Sequence, residues 1–292
     1  MKPKIPFSHH IEYWLLRLLE TIMNLIPRSF SLQLGGIIGI SLYYCGVYGG
    51  VVKKNMDHVG IVMGKDRNKI VRSLYRNTGK IFADFLRSFE NPPPCAIDHF
   101  DVAKAVFAQG KGGIVVLAHF GNWEVLANVF GLKLYDLNVL AKPMKNKLVE
   151  KWLHAKRMKA HVTPIDAANV LRKMLTILQR GGIVAMLIDQ YAGSHGAPSL
   201  FLGKPANTVR TVAGMLRKTG CGIVFTYALL EKDGRYRIHI EEGPELGLTA
   251  DDERFIGAYQ QAHNDVLSRW IMAHPEHYFG WFHRRFKDTI NY

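Results

Sequence analysis

The sequence predicts an α/β fold: a mostly parallel, mixed sheet covered by helices and preceded by an N-terminal helical region. Three observations predict it. Two short runs, GIVVLA at 113–118 and GIVAMLI at 182–188, are apolar throughout, as strands buried on both faces must be. Helical patterns alternate with strand signals around them, the arrangement that covers a parallel sheet on both sides. Residues 1–91, by contrast, carry helical periodicity and one long uncharged stretch.

Residues 11–26 place Ile11, Trp14, Leu15, Leu18, Leu19, Ile22 and Leu25 at helical spacing, opposite Glu12, Arg17, Glu20 and Asn24, which makes an amphipathic helix. The stretch 29–52 lies between Arg28 and Lys53-Lys54 and contains no charged side chain. Its length would cross a bilayer, roughly 20 apolar residues being required. Six glycines lower its hydrophobicity and its tyrosines favour an interface, so a helix embedded in or lying on one leaflet is expected. A cleavable signal peptide fits poorly, because the apolar run starts late and ends in glycines. A third helix over 68–89 shows Ile70, Val71, Leu74, Tyr75, Ile81, Phe82, Phe85, Leu86 and Phe89 on one face. Lys69, Arg72, Arg76, Lys80 and Arg87 form its basic back, either a solvated surface or one that meets anionic lipid or an acidic carrier. Pro92-Pro93-Pro94 is read as a hinge between this membrane-associating region, 1–91, and a core of 92–292.

In the core the reading is strand 113–118, helix 122–132, strand 137–141, helix 146–160, strand 161–164, helix 167–180 and strand 182–188. A helix at 207–219 then leads to a strand at 222–230, paired through Lys232-Asp233-Gly234 with 235–241, and a last helix spans 251–273.

Composition narrows the function classes. The hydrophobic share of 48% excludes a disordered chain. The three cysteines Cys45, Cys95 and Cys221 are far apart, which argues against a disulfide framework or a zinc site and suits a reducing compartment. With 38 basic and 24 acidic residues the formal charge is +14, so acidic partners are expected: nucleic acid, an anionic membrane face or an acidic carrier protein. A nucleic-acid binder should interleave exposed aromatics with its basic stripe; here the aromatics fall on the apolar helix face, which favours lipid. His274, His277 and His283 have no carboxylate or cysteine beside them at ligand spacing, so no metal site is expected.

The chemistry concentrates in HFGNWE, 119–124. An apolar strand delivers His119 at its carboxyl end, where open α/β sheets keep their ligand sites. Gly121 lets the chain turn, Asn122 can cap the next helix, and Glu124 falls in its first turn, within possible reach of the imidazole. A neutral imidazole held in one tautomer by a carboxylate can take a proton from an alcohol attacking a carbonyl. That is the base and orienter of a catalytic triad, with the substrate hydroxyl in place of a serine. No G-x-S-x-G accompanies it, so direct attack without an acyl-enzyme is the simplest consequence. A structural histidine beside a strand is the rival reading.

HFGNWE resembles the His-x4-Glu/Asp motif of the lysophospholipid and lipid A acyltransferase superfamily, in the branch of the late lipid A lauroyl and myristoyl transferases. Other blocks agree in order: Lys142-Pro143-Met144-Lys145-Asn146, Arg157, Asp189-Gln190, Phe201-Leu202-Gly203-Lys204-Pro205-Ala206, Pro275-Glu276-His277-Tyr278 and Trp281-Phe282-His283-Arg284-Arg285-Phe286-Lys287. The resemblance runs from about residue 10 to residue 287. Leu202, His277, Tyr278 and Phe286 depart from the branch's usual residues, which leaves the acceptor open.

The resemblance implies an O-acyltransferase in which His119 is the general base and Glu124 its partner. Arg157 would serve substrate or transition state, and Asn122, Asp189, Gln190 and Gly203 would shape the site. Apart from the resemblance, Lys142 and Lys204 are read either as phosphate contacts or as surface lysines. No cofactor is implied; the co-substrate is an acyl thioester, on acyl carrier protein or coenzyme A. The acceptor would be a lipid A precursor or related glycolipid at the cytoplasmic face of the inner membrane. A lysophospholipid or glycerol-phosphate acceptor is the alternative, and a non-catalytic basic protein binding membrane or nucleic acid is the rival from another class. Beside Trp281 and Phe286, the cations of 283–285 read as an interfacial anchor.

Overall fold

The computed structural model describes residues 5–61, 65–87, 92–166, 168–193, 196–247 and 252–292. Phe89, the boundary at 91 and the predicted helix starts at 167 and 251 lie outside them. Four helices come first: α1 Phe7–Leu25, α2 Arg28–Tyr44, α3 Gly49–Val59 and α4 Lys65–Leu86. The uncharged stretch is thus not one helix. It bends by 83° between α2 and α3, at a turn where Gly46 and Tyr48 take positive φ. Among the described residues no single helix is long and apolar enough to cross a membrane.

A mixed seven-stranded sheet forms the centre. Its strands are β1 Cys95–Asp98, β2 Gly113–Leu117, β3 Leu137–Leu140, β4 Val162–Ile165, β5 Ile183–Leu187, β8 Gly222–Leu230 and β9 Tyr236–Glu242, in the order β1-β9-β8-β2-β5-β3-β4. All pairs are parallel except β8–β9, the predicted hairpin. Helices α5 Phe100–Phe107, α6 Trp123–Lys133, α7 Lys147–Lys159, α8 Val170–Gln179, α9 Thr211–Thr219 and α10 Asp252–Ala273 complete the layers. Strands β2 and β5 lie at the middle of the sheet, which is why their sequences are apolar without alternation.

Three features were not read from the sequence. The edge strand β1 and helix α5 follow the prolines. Residues 207–210 are not helical: β6 Ala197–Phe201 and β7 Lys204–Thr208 form a separate antiparallel hairpin instead. Its turn is Leu202-Gly203, both at positive φ, and leucine there gives no turn signal.

Helices α2 and α4 approach until their backbones nearly touch. A Cβ on Gly35 would stand 2.4 Å from the Gly79 carbonyl oxygen, so the glycines that lower the hydrophobicity of α2 are its contact with α4. The basic back of α4 is also less free than expected, since Arg87 donates to the Met23 and Ile26 carbonyls at the end of α1. Val52, Met56, Leu74 and Tyr75 join the same apolar cluster as Ile114, Val184 and Ile223 of the sheet. The C-terminal segment is held there too: Asn55 Nδ2 donates to the carbonyls of Trp281 and His283, both at 2.8 Å. Trp281, Arg285 and Phe286 are therefore buried, and the expected interfacial anchor is corrected for these three side chains, which are core; within 281–286 only Arg284 is exposed.

Candidate active site

The site stands at the carboxyl ends of β2 and β5. These strands pair in parallel with Leu117 opposite Leu187, so His119 and Asp189 leave the sheet side by side. His119 Nδ1 and Asp189 Oδ1 are 2.9 Å apart, with the carboxylate buried. Burial pushes the imidazole toward neutrality, but the charge and hydrogen bond of Asp189, with the charge of Glu124 beyond, outweigh it and raise its proton affinity above the ordinary value. Burial likewise opposes ionisation of Asp189, and His119 reverses that, holding the carboxyl below its usual range.

The expected His119–Glu124 pairing is corrected. Glu124 makes its hydrogen bonds to the fork of Arg157 instead: Nε donates to Oε2 at 3.2 Å and Nη2 to Oε1. Asn122 sets this direction. Its Oδ1 accepts from the Val125 amide at 3.1 Å, capping α6, while Nδ2 donates to the Tyr236 hydroxyl at 2.9 Å. Tyr236 then donates to Asp84, which holds Arg28 through both oxygens at 2.8 and 2.7 Å. Helix α6 therefore starts with Trp123 against His119, ring centroids 4.9 Å apart, and with Glu124 turned toward α7.

The other predicted residues divide. Gln190 is in the site: its side-chain amide nitrogen is 3.3 Å from His119 Nε2 and 3.2 Å from His283 Nε2. Arg285 supports it from behind, donating to the Gln190 carbonyl at 3.2 Å and to Thr208 Oγ1 at 2.8 Å. Asn122 acts on the backbone and Tyr236. Gly203 lies in the β6–β7 turn and Lys204 opens β7; burial, then the Lys204 charge, lower the proton affinity of His58, while Lys204 is not among the groups acting on His119. Lys142 is exposed on the loop between β3 and α7. His283 and Phe279 were missed. The Phe279 amide donates to the His119 carbonyl at 2.8 Å, and the His283 ring lies 5.4 Å from that of His119.

Phe279 and His283 also line an apolar cavity of about 590 Å³. Its walls come from α1 (Leu16, Leu19, Met23), α2 (Ile38, Leu42) and α4 (Phe82, Phe85, Leu86). The volume falls within the roughly 300–1,000 Å³ of small-ligand sites. The groove between α1 and α7, about 800 Å³ and lined by Arg17, Glu20, Lys151 and Lys156, contains none of the strand-end residues.

The profile of the family described as "Bacterial lipid A biosynthesis acyltransferase" matches residues 1–288 of the chain. The chain belongs to this family. A phosphatidylinositol mannoside acyltransferase of Mycobacterium tuberculosis (strain CDC 1551 / Oshkosh) is 22% identical over 184 residues, which is 61% of this chain and 55% of that protein. The chain thus spans about half the length of this curated relative. Within the lipid A acyltransferase family the HFGNWE block is, in this member, a capped strand-to-helix turn whose two acidic and basic partners, Asp189 and Arg157, come from elsewhere.

Proposed function

We propose that this protein moves a fatty acyl group from an acyl thioester to a hydroxyl of a lipid A precursor or related glycolipid, with His119 as general base. One observation carries the reading: a buried His119–Asp189 pair stands against Phe279 and His283, which line a hydrocarbon-walled cavity. Asp189 fixes the tautomer with Nδ1 protonated and leaves Nε2 to accept the hydroxyl proton. The oxygen attacks the thioester carbonyl and a C–O bond forms; the C–S bond then breaks, and the thiolate takes the proton from the imidazolium, which Asp189 has stabilised meanwhile. The acyl chain lies in the cavity between α1, α2 and α4. Arg157, with its fork engaged by Glu124, ties α7 to the first turn of α6 that follows His119.

Membrane association is part of the proposal. Trp14 and Leu18 of α1 are 66% and 57% exposed, Ile37 of α2 is 63% exposed, and Tyr44 and Tyr48 stand at the bend. Side chains of this kind suit the headgroup–acyl boundary, where both substrates meet the cavity. The donor is an acyl carrier protein or coenzyme A thioester; the +14 charge supports an acidic carrier and an anionic cytoplasmic leaflet of the inner membrane. The likeness to a phosphatidylinositol mannoside acyltransferase supports glycolipid acceptors beyond lipid A.

Mass spectrometry of membrane lipids from cells with the protein, without it, and with His119→Ala tests the reading. Only the wild type should add one acyl chain to a glycolipid, and its mass reports acceptor and chain length together. Unchanged glycolipid profiles in all three would refute it.

A further inference from the structure

Resting on that functional reading, we infer that His283 is a second catalytic imidazole, which donates a hydrogen bond to the thioester carbonyl oxygen as negative charge develops there. Three backbone donors beside His119 are already engaged. The amide of Gly121 donates to the His277 carbonyl at 2.9 Å, that of Asn122 to Ala228 at 2.8 Å and that of Phe279 to His119 at 2.8 Å. An oxyanion at this site needs a preorganised donor, and a side chain can supply it.

His283 is placed to do so. It lines the apolar cavity, whereas His119 does not, so a thioester whose chain fills the cavity brings its carbonyl to the His283 side and leaves the His119 side to the hydroxyl. Both Nε2 atoms converge on one nitrogen of Gln190, at 3.3 and 3.2 Å, which marks the point between them that a polar group can occupy. Gln190 is exposed and can swing out as substrate enters. The backbone of His283 is fixed by Asn55 at 2.8 Å, and its ring stands edge-on to Phe279 at 5.5 Å. Burial, then the neighbouring His119, lower the proton affinity of His283, which favours the neutral ring; its Nε2 accepts from the Gln190 amide while that side chain is in place and carries the ring proton once Gln190 swings out. The carbonyl oxygen takes up the C=O π pair as the C–O bond forms and returns it as the C–S bond breaks. The His283 proton stays on its nitrogen throughout.

The test uses the full chain in detergent micelles with lauroyl-coenzyme A, following thiol release with water as acceptor and with a tetraacylated lipid A precursor. His283→Leu should lower kcat about 10²–10³-fold with both acceptors, with KM for the thioester within a few-fold. His283→Gln, which keeps a neutral N–H donor, should recover to within about tenfold. In His119→Ala, which binds without turning over, carbonyl-labelled thioester should show a lowered C=O stretching frequency; adding His283→Gln should keep the shift and adding His283→Leu should abolish it. Wild-type kcat in His283→Leu, an effect confined to acceptor KM, or no frequency shift in His119→Ala would each overturn the inference. Should His283→Leu not fold, loss of the shift in His283→Gln decides against it alone. Full activity in His119→Ala would instead sink the functional reading itself.

Discussion

Asp189 and His119 sit at the same offset on neighbouring parallel strands: Leu187 pairs with Leu117, and two residues beyond each comes one half of the pair. The strand register thus aligns imidazole and carboxylate before any loop geometry is chosen. Placement on rigid strand ends suits the proton transfer proposed for His119, since small displacements of a catalytic group are costly in rate.

Asp189→Asn should therefore lower kcat by about 10³–10⁴-fold, as expected when the orienting carboxylate of such a pair is neutralised. The pH profile separates this from general damage. His119 must be neutral to accept a proton, and its affinity is raised, so wild-type activity rises with pH through a midpoint above the ordinary 6.5. Without the Asp189 charge, burial is opposed only by the smaller effect of the Glu124 charge, and the midpoint should move down. A midpoint that stays put would show that Asp189 does not act on His119.

Glu124→Gln should behave differently. It leaves the Arg157 guanidinium without its anion in a largely buried setting, which costs about 3 kcal/mol of stability. The double change Glu124→Gln with Arg157→Met should recover part of that. Urea midpoints in micelles measure both. Because Glu124 is only the last contributor to the His119 shift, the acid limb should move far less than in Asp189→Asn; an equal shift would restore Glu124 as the partner.

The sequence made the sheet legible, because buried parallel strands have nothing polar to alternate with and GIVVLA and GIVAMLI stand out. The same two runs held the dyad: His119 follows Gly113 by as many residues as Asp189 follows Ile183, and those two strand starts are paired. Adjacency of β2 and β5 is a tertiary fact, so the nearer Glu124 was the natural partner to choose. His283 was hidden for another reason. Its value comes from 164 residues of separation from His119 being closed by Asn55 and the Phe279 amide, which no local pattern announces. The α2–α4 contact was visible only as glycines, which read as weak hydrophobicity until a partner helix is placed against them.

That contact gives a paired prediction. Gly79→Ala would put a Cβ 1.9 Å from the Gly35 carbonyl oxygen, so the helices must separate, at about 1–3 kcal/mol, and the cavity wall with them. Gly49→Ala meets nothing within 4 Å at the start of α3 and should be neutral or stabilising by about 0.5–1 kcal/mol. Thermal unfolding of the two variants compares them directly. Equal melting temperatures would mean that the glycine contact is not maintained.

The exposed face of α1 can be tested apart from chemistry. Trp14→Glu with Leu18→Glu replaces two outward apolar side chains that touch little of the core. If they enter the bilayer boundary, each loses roughly 1.5–3 kcal/mol of burial, and flotation with phosphatidylglycerol vesicles should fall by more than tenfold. Hydrolysis of soluble lauroyl-coenzyme A in micelles should stay near wild type. Vesicle binding unaffected by both charges would place the membrane contact elsewhere.

Cavity depth should set chain length. Each methylene that enters hydrocarbon is worth about 0.8 kcal/mol, or about fourfold in kcat/KM, until the chain meets a wall. Wild-type kcat/KM should climb by that factor per methylene from hexanoyl thioesters upward and then level. Ile38 and Leu42 line the cavity from α2, and an indole at either position removes space without touching His119, Asp189 or His283. Ile38→Trp and Leu42→Trp should level off at shorter chains while keeping the rate with hexanoyl thioester. A levelling point that does not move would mean that the acyl chain lies outside this cavity, and the carbonyl would then have no reason to approach from the His283 side.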